Sequence, residues 1–366
     1  MTPKIGTISI ERFRAFRELK IEGLGRVNLI TGCNNTGKSS MLEALRLLAS
    51  GGSPAVIAEI IRYREEDMGE SDEGGFQISS LFNGFPRWSD TLETLAVIAK
   101  GVERPTTLTL SFGWYTEKRN PETGERTFLP AEQRSSGEFD WVRLLVVGLG
   151  SGKKVYPLEH LRRVAEGYDL PDLGDEARMP CVFVSPYGGE GTAALGALWD
   201  KVALSELEKD VVQALQIIDP HISAVSMVGD EGPRRSRIAM ARSEKLSRRV
   251  PLRTFGDGMN RLFGIAISLV NARNGLLLID EFENGMHYSV QLKVWRTIFH
   301  LAQWLDVQVF ATSHSWDAIE AFQQAAAETP EEGTLVRLVR KGEDIIPTVL
   351  HKDELKVAVR QRIEAR

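Results

Sequence analysis

Cysteine is almost missing from this sequence: Cys33 and Cys181 are the two among 366 residues. Two thiols cannot build a disulfide framework, so a packed core must hold the chain, and the expected setting is the reducing cytoplasm. Long apolar runs are missing too. None approaches the roughly 18–20 residues that cross a bilayer, and no signal-peptide core opens the chain, so no membrane role is expected. The string Lys352–Leu355 spells a retention signal but is internal, where it has no such meaning. An excess of positive charge is also lacking. Forty-five Lys and Arg face 50 Asp and Glu, a net charge of −5, so any site for a polyanion must be a local patch. There is no internal repeat or low-complexity tract. What remains, 42% hydrophobic and 26% charged, is the composition of a folded globular protein of one large domain or two modest ones.

Hydrophobic spacing gives the organisation. Ile5–Ile10 and Val27–Thr31 read as strands, and Met41, Leu42, Leu45 and Leu48 recur at helical spacing after Gly37. The acidic stretch Glu65–Glu73 reads as a solvated loop. Strands are expected at Thr107–Trp114, Trp141–Val147 and Cys181–Ser185, and a helix over Leu198–Ile217. Ile222–Val228 and Ser236–Ala241 read as a hairpin. The last third then alternates: helix Leu262–Ala272, strand Leu276–Ile279, helix Ser289–Leu305, strand Val307–Thr312, helix Trp316–Glu328. Such alternation predicts an α/β fold with parallel strands.

The strongest motif is Gly32-Cys33-Asn34-Asn35-Thr36-Gly37-Lys38-Ser39, followed by Ser40. It fits the phosphate-loop pattern at every fixed position and lies between a strand and a helix. Its glycines let backbone N–H groups curl around phosphates at a helix N-terminus. Lys38 is expected on the β- and γ-phosphates and Ser39 on a magnesium ion. A second apolar strand, Leu276–Ile279, delivers Asp280 and Glu281 at its end, the first suited to the metal, the second to activating water. A third strand ends at Ser313-His314-Ser315, where His314 can sense a γ-phosphate.

Two glycine-rich stretches are look-alikes. Gly148–Lys153 lacks the first Gly and the Ser/Thr of a phosphate loop and reads as a hairpin turn. Gly189–Ala194 imitates a dinucleotide fingerprint without its downstream acidic strand end. Arg234, Arg235, Arg237, Arg242, Lys245, Arg248 and Arg249 are opposed locally by Glu244 alone. This patch reads as a grip on a nucleic-acid backbone, a solvated hairpin face, or a dock for an acidic partner.

Taken in order, these pieces resemble the ABC-type ATPases, with SMC and RecF-type proteins among their relatives, and above all the OLD-family ATPases. The likeness is carried by Ile8–Phe16, the phosphate loop with its Asn34-Asn35 pair, Phe255-Gly256-Asp257-Gly258-Met259-Asn260-Arg261, and Asp280–His287 with Thr312–Ser315. It implies an ABC/SMC-like P-loop fold: a central mostly parallel sheet, an antiparallel β subdomain and an inserted α/β arm. The expected ATPase domain is 1–350, interrupted by an insertion at about 63–178, with 351–366 a C-terminal helix that closes the core or docks a partner.

The resemblance further implies ATP and Mg²⁺ as ligands and a homodimer or higher homo-oligomer. In that dimer Gly256, Asp257, Gly258, Met259, Asn260 and Arg261 face the partner subunit's ATP. Gly256 stands where transporter-type signatures carry Ser, so the hydroxyl contact to the γ-phosphate is either missing or supplied by Thr254, and Gln77 is a candidate for the glutamine loop. The 52 residues after His314 are too few for the TOPRIM nuclease of full-length OLD proteins. The expectation is therefore the ATPase half alone, similar to that of two-gene PARIS-type phage-defence systems, acting with a separately encoded TOPRIM-like effector and a phage-encoded trigger. The alternatives are a RecF-like DNA-binding repair or recombination ATPase, and an ATP-bound sensor scaffold with negligible turnover.

Overall fold

Strands β1 (Thr7–Phe13) and β2 (Phe16–Glu22) open the chain as an antiparallel pair, its turn flanked by Arg12 and Arg14 at positive φ. Strand β3 (Val27–Thr31) leads into helices α1 (Lys38–Ser50) and α2 (Pro54–Tyr63). Next come β4 (Thr94–Lys100), β5 (Thr106–Arg119), β6 (Arg126–Pro130), β7 (Trp141–Leu149), β8 (Gly152–Pro157) and α3 (Leu158–Ala165). Strand β9 (Cys181–Val184), helices α4 (Thr192–Asp200) and α5 (Leu207–Gln216), and strands β10 (Ile222–Gly229), β11 (Arg237–Ser243) and β12 (Val250–Pro251) follow. The last part runs α6 (Asp257–Asn271), β13 (Leu276–Ile279), α7 (Tyr288–Trp304), β14 (Gln308–Thr312), α8 (Trp316–Glu328), β15 (Gly333–Lys341), β16 (Asp344–Leu350) and α9 (Lys352–Arg360). The computed structural model describes residues 3–66, 77–86, 94–101, 106–119, 126–130, 141–165, 179–186, 192–229, 237–329 and 333–361.

The central sheet has the order β16-β15-β3-β14-β13-β9; all neighbours are parallel except β16 on β15. Strands β3, β13 and β14 are buried at every position, as strands covered on both faces must be. Alternation sorts their side chains. Ile30, Leu276, Leu278, Phe310 and Val336 join the core under α1, whereas Val27, Leu29, Leu277, Ile279, Val309 and Ala311 join the core of α6, α7 and α8. Among the described residues no helix is long and apolar enough to cross a membrane.

The second sheet, order β2-β1-β4-β5-β7-β8 with β6 on β5, is antiparallel throughout. It lays Ile8, Ile10, Val97, Leu108, Leu110 and Leu145 against Met41, Leu45 and Leu48 of α1. Within the stretch expected as an inserted arm, β4 pairs directly with β1 over Thr7–Glu11, so its strands prolong the N-terminal sheet. Gly148–Lys153 lies at the β7–β8 hairpin, and β10 and β11 form the other anticipated hairpin.

The helix expected over Leu198–Ile217 is two helices. Leu204, fully exposed at φ 63°, breaks the run, and Glu208 accepts its backbone N–H at 2.8 Å. At the other end of the chain, α9 buries Leu355 and Ala358 and leaves Val357 half-exposed; Leu355 joins the core of α6 to α8.

Candidate nucleotide site

The loop after β3 has a backbone that only small residues tolerate. A Cβ on Gly32 would lie 2.4 Å from the Leu338 carbonyl oxygen, and one on Gly37 would strike the Phe16 ring at 2.6 Å; both glycines sit at positive φ. Gly37 caps α1 without a side-chain acceptor, and no acidic residue occupies the first turn. The helix therefore presents uncompensated N–H groups where an anion fits. Thr36 Oγ1 donates to the Cys33 carbonyl at 2.8 Å, and the Arg340 guanidinium braces the Asn35 carbonyl at 2.9 Å. Lys38 Nζ folds back onto the carbonyl oxygens of Gly32 and Cys33, at 2.8 and 3.0 Å. Burial pulls its pKa below the ordinary lysine value, against the opposing pull of Asp280 and its neighbours.

Because β13 and β14 are neighbours and β14 lies next to β3, their C-terminal ends reach the loop at one edge of the sheet. Ser39 Oγ donates to Asp280 Oδ1 at 3.2 Å, and Thr312 Oγ1 donates to the same oxygen at 2.5 Å. Thr312 Oγ1 also accepts the Glu281 backbone N–H at 2.8 Å. Glu281 holds φ at 48°, a left-handed conformation that costs a non-glycine residue about 1 kcal/mol or more. Asn284 Nδ2 donates to its Oε2 at 2.5 Å and to the Pro186 carbonyl at 3.2 Å. His314 is half-exposed, and Glu283 Oε1 lies 2.9 Å from its backbone nitrogen and 3.2 Å from Nδ1.

The oxygen set suits a hard cation. A hydroxyl and one buried carboxylate leave most positions to phosphate oxygens and water, as Mg²⁺ prefers, and among the described residues no cluster of three ligating side chains competes.

The 256–261 segment does not present itself as a unit. Gly256 and Asp257 are exposed and Gly258 and Asn260 half-buried, but Met259 is packed in the core. Arg261 is buried as well. Its Nη1 donates to the Ser185 carbonyl at 2.6 Å, and its Nη2 to the carbonyls of Asp280 and Glu281 at 3.1 and 3.3 Å. Met259 and Arg261 therefore cannot face a partner's nucleotide; only the first turn of α6 emerges from the core. Burial lowers the Arg261 pKa to about 10, still cationic at neutral pH. Asp257, in that exposed first turn, is paired with Arg253 at 2.9 Å.

The arginine patch also thins out. Arg234 and Arg235 lie outside the described residues, and Arg237 is committed to Asp200 through two bonds of 2.6 and 2.8 Å. Arg242, Lys245, Arg248 and Arg249 are exposed. Glu66, the described end of the anticipated acidic loop, is an ion-pair partner instead. It takes Arg14 Nη1 at 2.5 and 2.8 Å and Ser80 Oγ at 2.6 Å, while Glu43 bridges Arg14 and Arg64. Gln77 donates its backbone N–H to the Glu66 carbonyl, and residues 67–73 of the acidic stretch, like Gly189–Gly191, lie outside the described residues. Arg14, Arg64, Phe85 and Arg340 line a cavity of about 540 Å³ beside Asn35 and Ser40. Sequence reasoning gave no individual role to Arg14, Glu43, Glu283 or Asn284: the partners of the first three lie on distant elements, and Asn284 stands in a motif without its contact to Glu281 being visible.

Three likenesses fit this geometry. The chain is 23% identical to a Helicobacter pylori protein named ATP/GTP phosphatase, over 96% of this chain and 97% of that one. It is 34% identical to the DNA replication and repair protein RecF of Heliobacterium modesticaldum over 88 residues, 22% of this chain and 24% of that protein. The fold resembles the structure of an Smc head bound to the C-winged helix domain of ScpA, with a TM-score of 0.50 and 11% identity over 97% of this chain and all of that one. A family model described as "AAA domain, putative AbiEii toxin, Type IV TA system" matches residues 27–319, and with that span, its phosphate loop included, the chain belongs to this family of P-loop ATPases.

Proposed function

We propose that the chain binds ATP with Mg²⁺ at the edge formed by residues 32–40, 280–284 and 312–314, hydrolyses it, and uses the nucleotide to join two copies. The carrying observation is the single oxygen, Asp280 Oδ1, that takes both the Ser39 and the Thr312 hydroxyls. Loop N–H groups and Lys38 hold the phosphates once nucleotide draws Lys38 off its own carbonyls. Ser39 and Asp280 hold Mg²⁺, which, when bound, offsets charge on the phosphate oxygens. Glu281, steadied by Asn284, takes the proton of the attacking water as the bond between the β- and γ-phosphates breaks. His314 contacts the terminal phosphate.

Gly256–Gly258, at the exposed and uncapped start of α6, completes the site of a second copy. The dimer so formed governs a separately encoded effector, a TOPRIM-like nuclease, in antiphage defence. The family description in terms of a type IV toxin–antitoxin system supports that setting. The test is steady-state phosphate release with sedimentation, with and without ATP. Glu281→Gln loses turnover and accumulates as an ATP-dependent dimer, while Lys38→Ala stays monomeric. A Glu281→Gln protein as active as wild type sinks the catalytic assignment.

A further inference from the structure

One carboxylate at the site has no role in the reading above. Glu283 follows Asp280 by three residues, on the turn that the Phe282 N–H ties to the Thr312 carbonyl at 2.9 Å. Its side chain is 10% exposed; Oε1 accepts the His314 backbone N–H at 2.9 Å and lies 3.2 Å from the ring Nδ1 of the same residue. Oε2 is buried and has no hydrogen-bond partner among the described residues, a cost that a fold carries where the group serves something else. Glu283 also adds to the negative field acting on Lys38, which places it beside the phosphate loop. A carboxylate that holds the backbone of a histidine and stands 3.2 Å from its Nδ1 favours the proton on that nitrogen. The side chain as a whole is half-exposed, which leaves Nε2 as the nitrogen for a ligand.

Resting on the assignment of this edge as the hydrolysis site, we propose that Glu283 is the positioning residue for His314, holding the imidazole through Nδ1–H so that Nε2 meets the terminal phosphate. Its orphaned Oε2 is a place for an ordered water shared with that phosphate.

Turnover and ring state test this together. Glu283→Ala lowers kcat by about 10–100-fold, as loss of an orienting partner does, with KM for ATP nearly unchanged because the loop still binds. Glu283→Gln keeps an acceptor oxygen and recovers part of the rate. The double variant Glu283→Ala/His314→Ala is no slower than His314→Ala alone. In ¹⁵N-histidine-labelled protein, the His314 signal, identified by its loss in His314→Ala, reports an Nδ1–H ring in wild type and reverts toward Nε2–H in Glu283→Ala. Additive losses in the double variant, or an unchanged ring tautomer, overturn the proposal. If wild type itself shows no turnover above Glu281→Gln, the site reading fails instead, and the tautomer measurement still decides what holds the ring.

Discussion

The Thr312 hydroxyl lies 2.5 Å from Asp280 Oδ1 and accepts the Glu281 N–H at 2.8 Å, so one side chain of β14 fixes both acidic residues at the end of β13. Thr312→Val keeps the shape and removes both bonds. It should cost about 1–3 kcal/mol in a denaturant titration, because the Glu281 N–H loses its acceptor and Asp280 Oδ1 keeps only the longer Ser39 bond. It should also slow turnover about tenfold or more, since a shift of ~1 Å at reacting groups is worth up to about 10²-fold.

Lys38 supplies a pH signature. Its pKa is lowered in the folded chain, so below the ordinary value of 10.5 the unfolded chain binds the extra proton. Stability of the nucleotide-free protein on this account rises with pH through that window, and Lys38→Met should remove the rise. The check is thermal unfolding of both proteins between neutral and alkaline pH.

The two thiols differ in environment. Cys33 is exposed on the phosphate loop, whereas burial pushes the Cys181 thiol up to about 12. A disulfide reagent at neutral pH should therefore modify one thiol quickly, and Mg·ATP should slow that reaction. Equal rates with and without nucleotide would argue against phosphates at this loop.

Arg261 is a structural prop. Arg261→Lys cannot reach three carbonyls with one fork, and should lower stability by about 2–3 kcal/mol in calorimetry.

The arginine patch makes a contrasting case. Arg248→Glu with Arg249→Glu should flatten the salt dependence of any DNA affinity, while Arg237→Ala should leave it unchanged, because Arg237 is occupied by Asp200. Fluorescence anisotropy across a salt series reads both.

The sheet strands β3, β13 and β14 were plain in the sequence because a strand buried on both faces must be apolar along its length, and the phosphate loop because its backbone demands glycine. Strands β15 and β16 and helix α2 went unanticipated. The apolar run of β15 is interrupted by Arg337 and ends in Arg340 and Lys341, and Ile57, Ile60 and Ile61 form a period too short to stand out. The helix expected from Leu262 begins at Asp257, and its first turn mixes exposed Asp257 with buried Met259, a split that hydrophobic spacing does not announce. Glu283 was legible as a residue and not as a partner, since what it holds lies on another strand.

The direct pairing of β4 with β1 bears on how this protein can be taken apart. A shortened version without the stretch from β4 to α3 would strip the cover from Met41, Leu45 and Leu48 and leave β1 with a bare edge. That stretch is not a detachable cassette, and transplanting it between relatives requires carrying β1, β2 and α1 along with it.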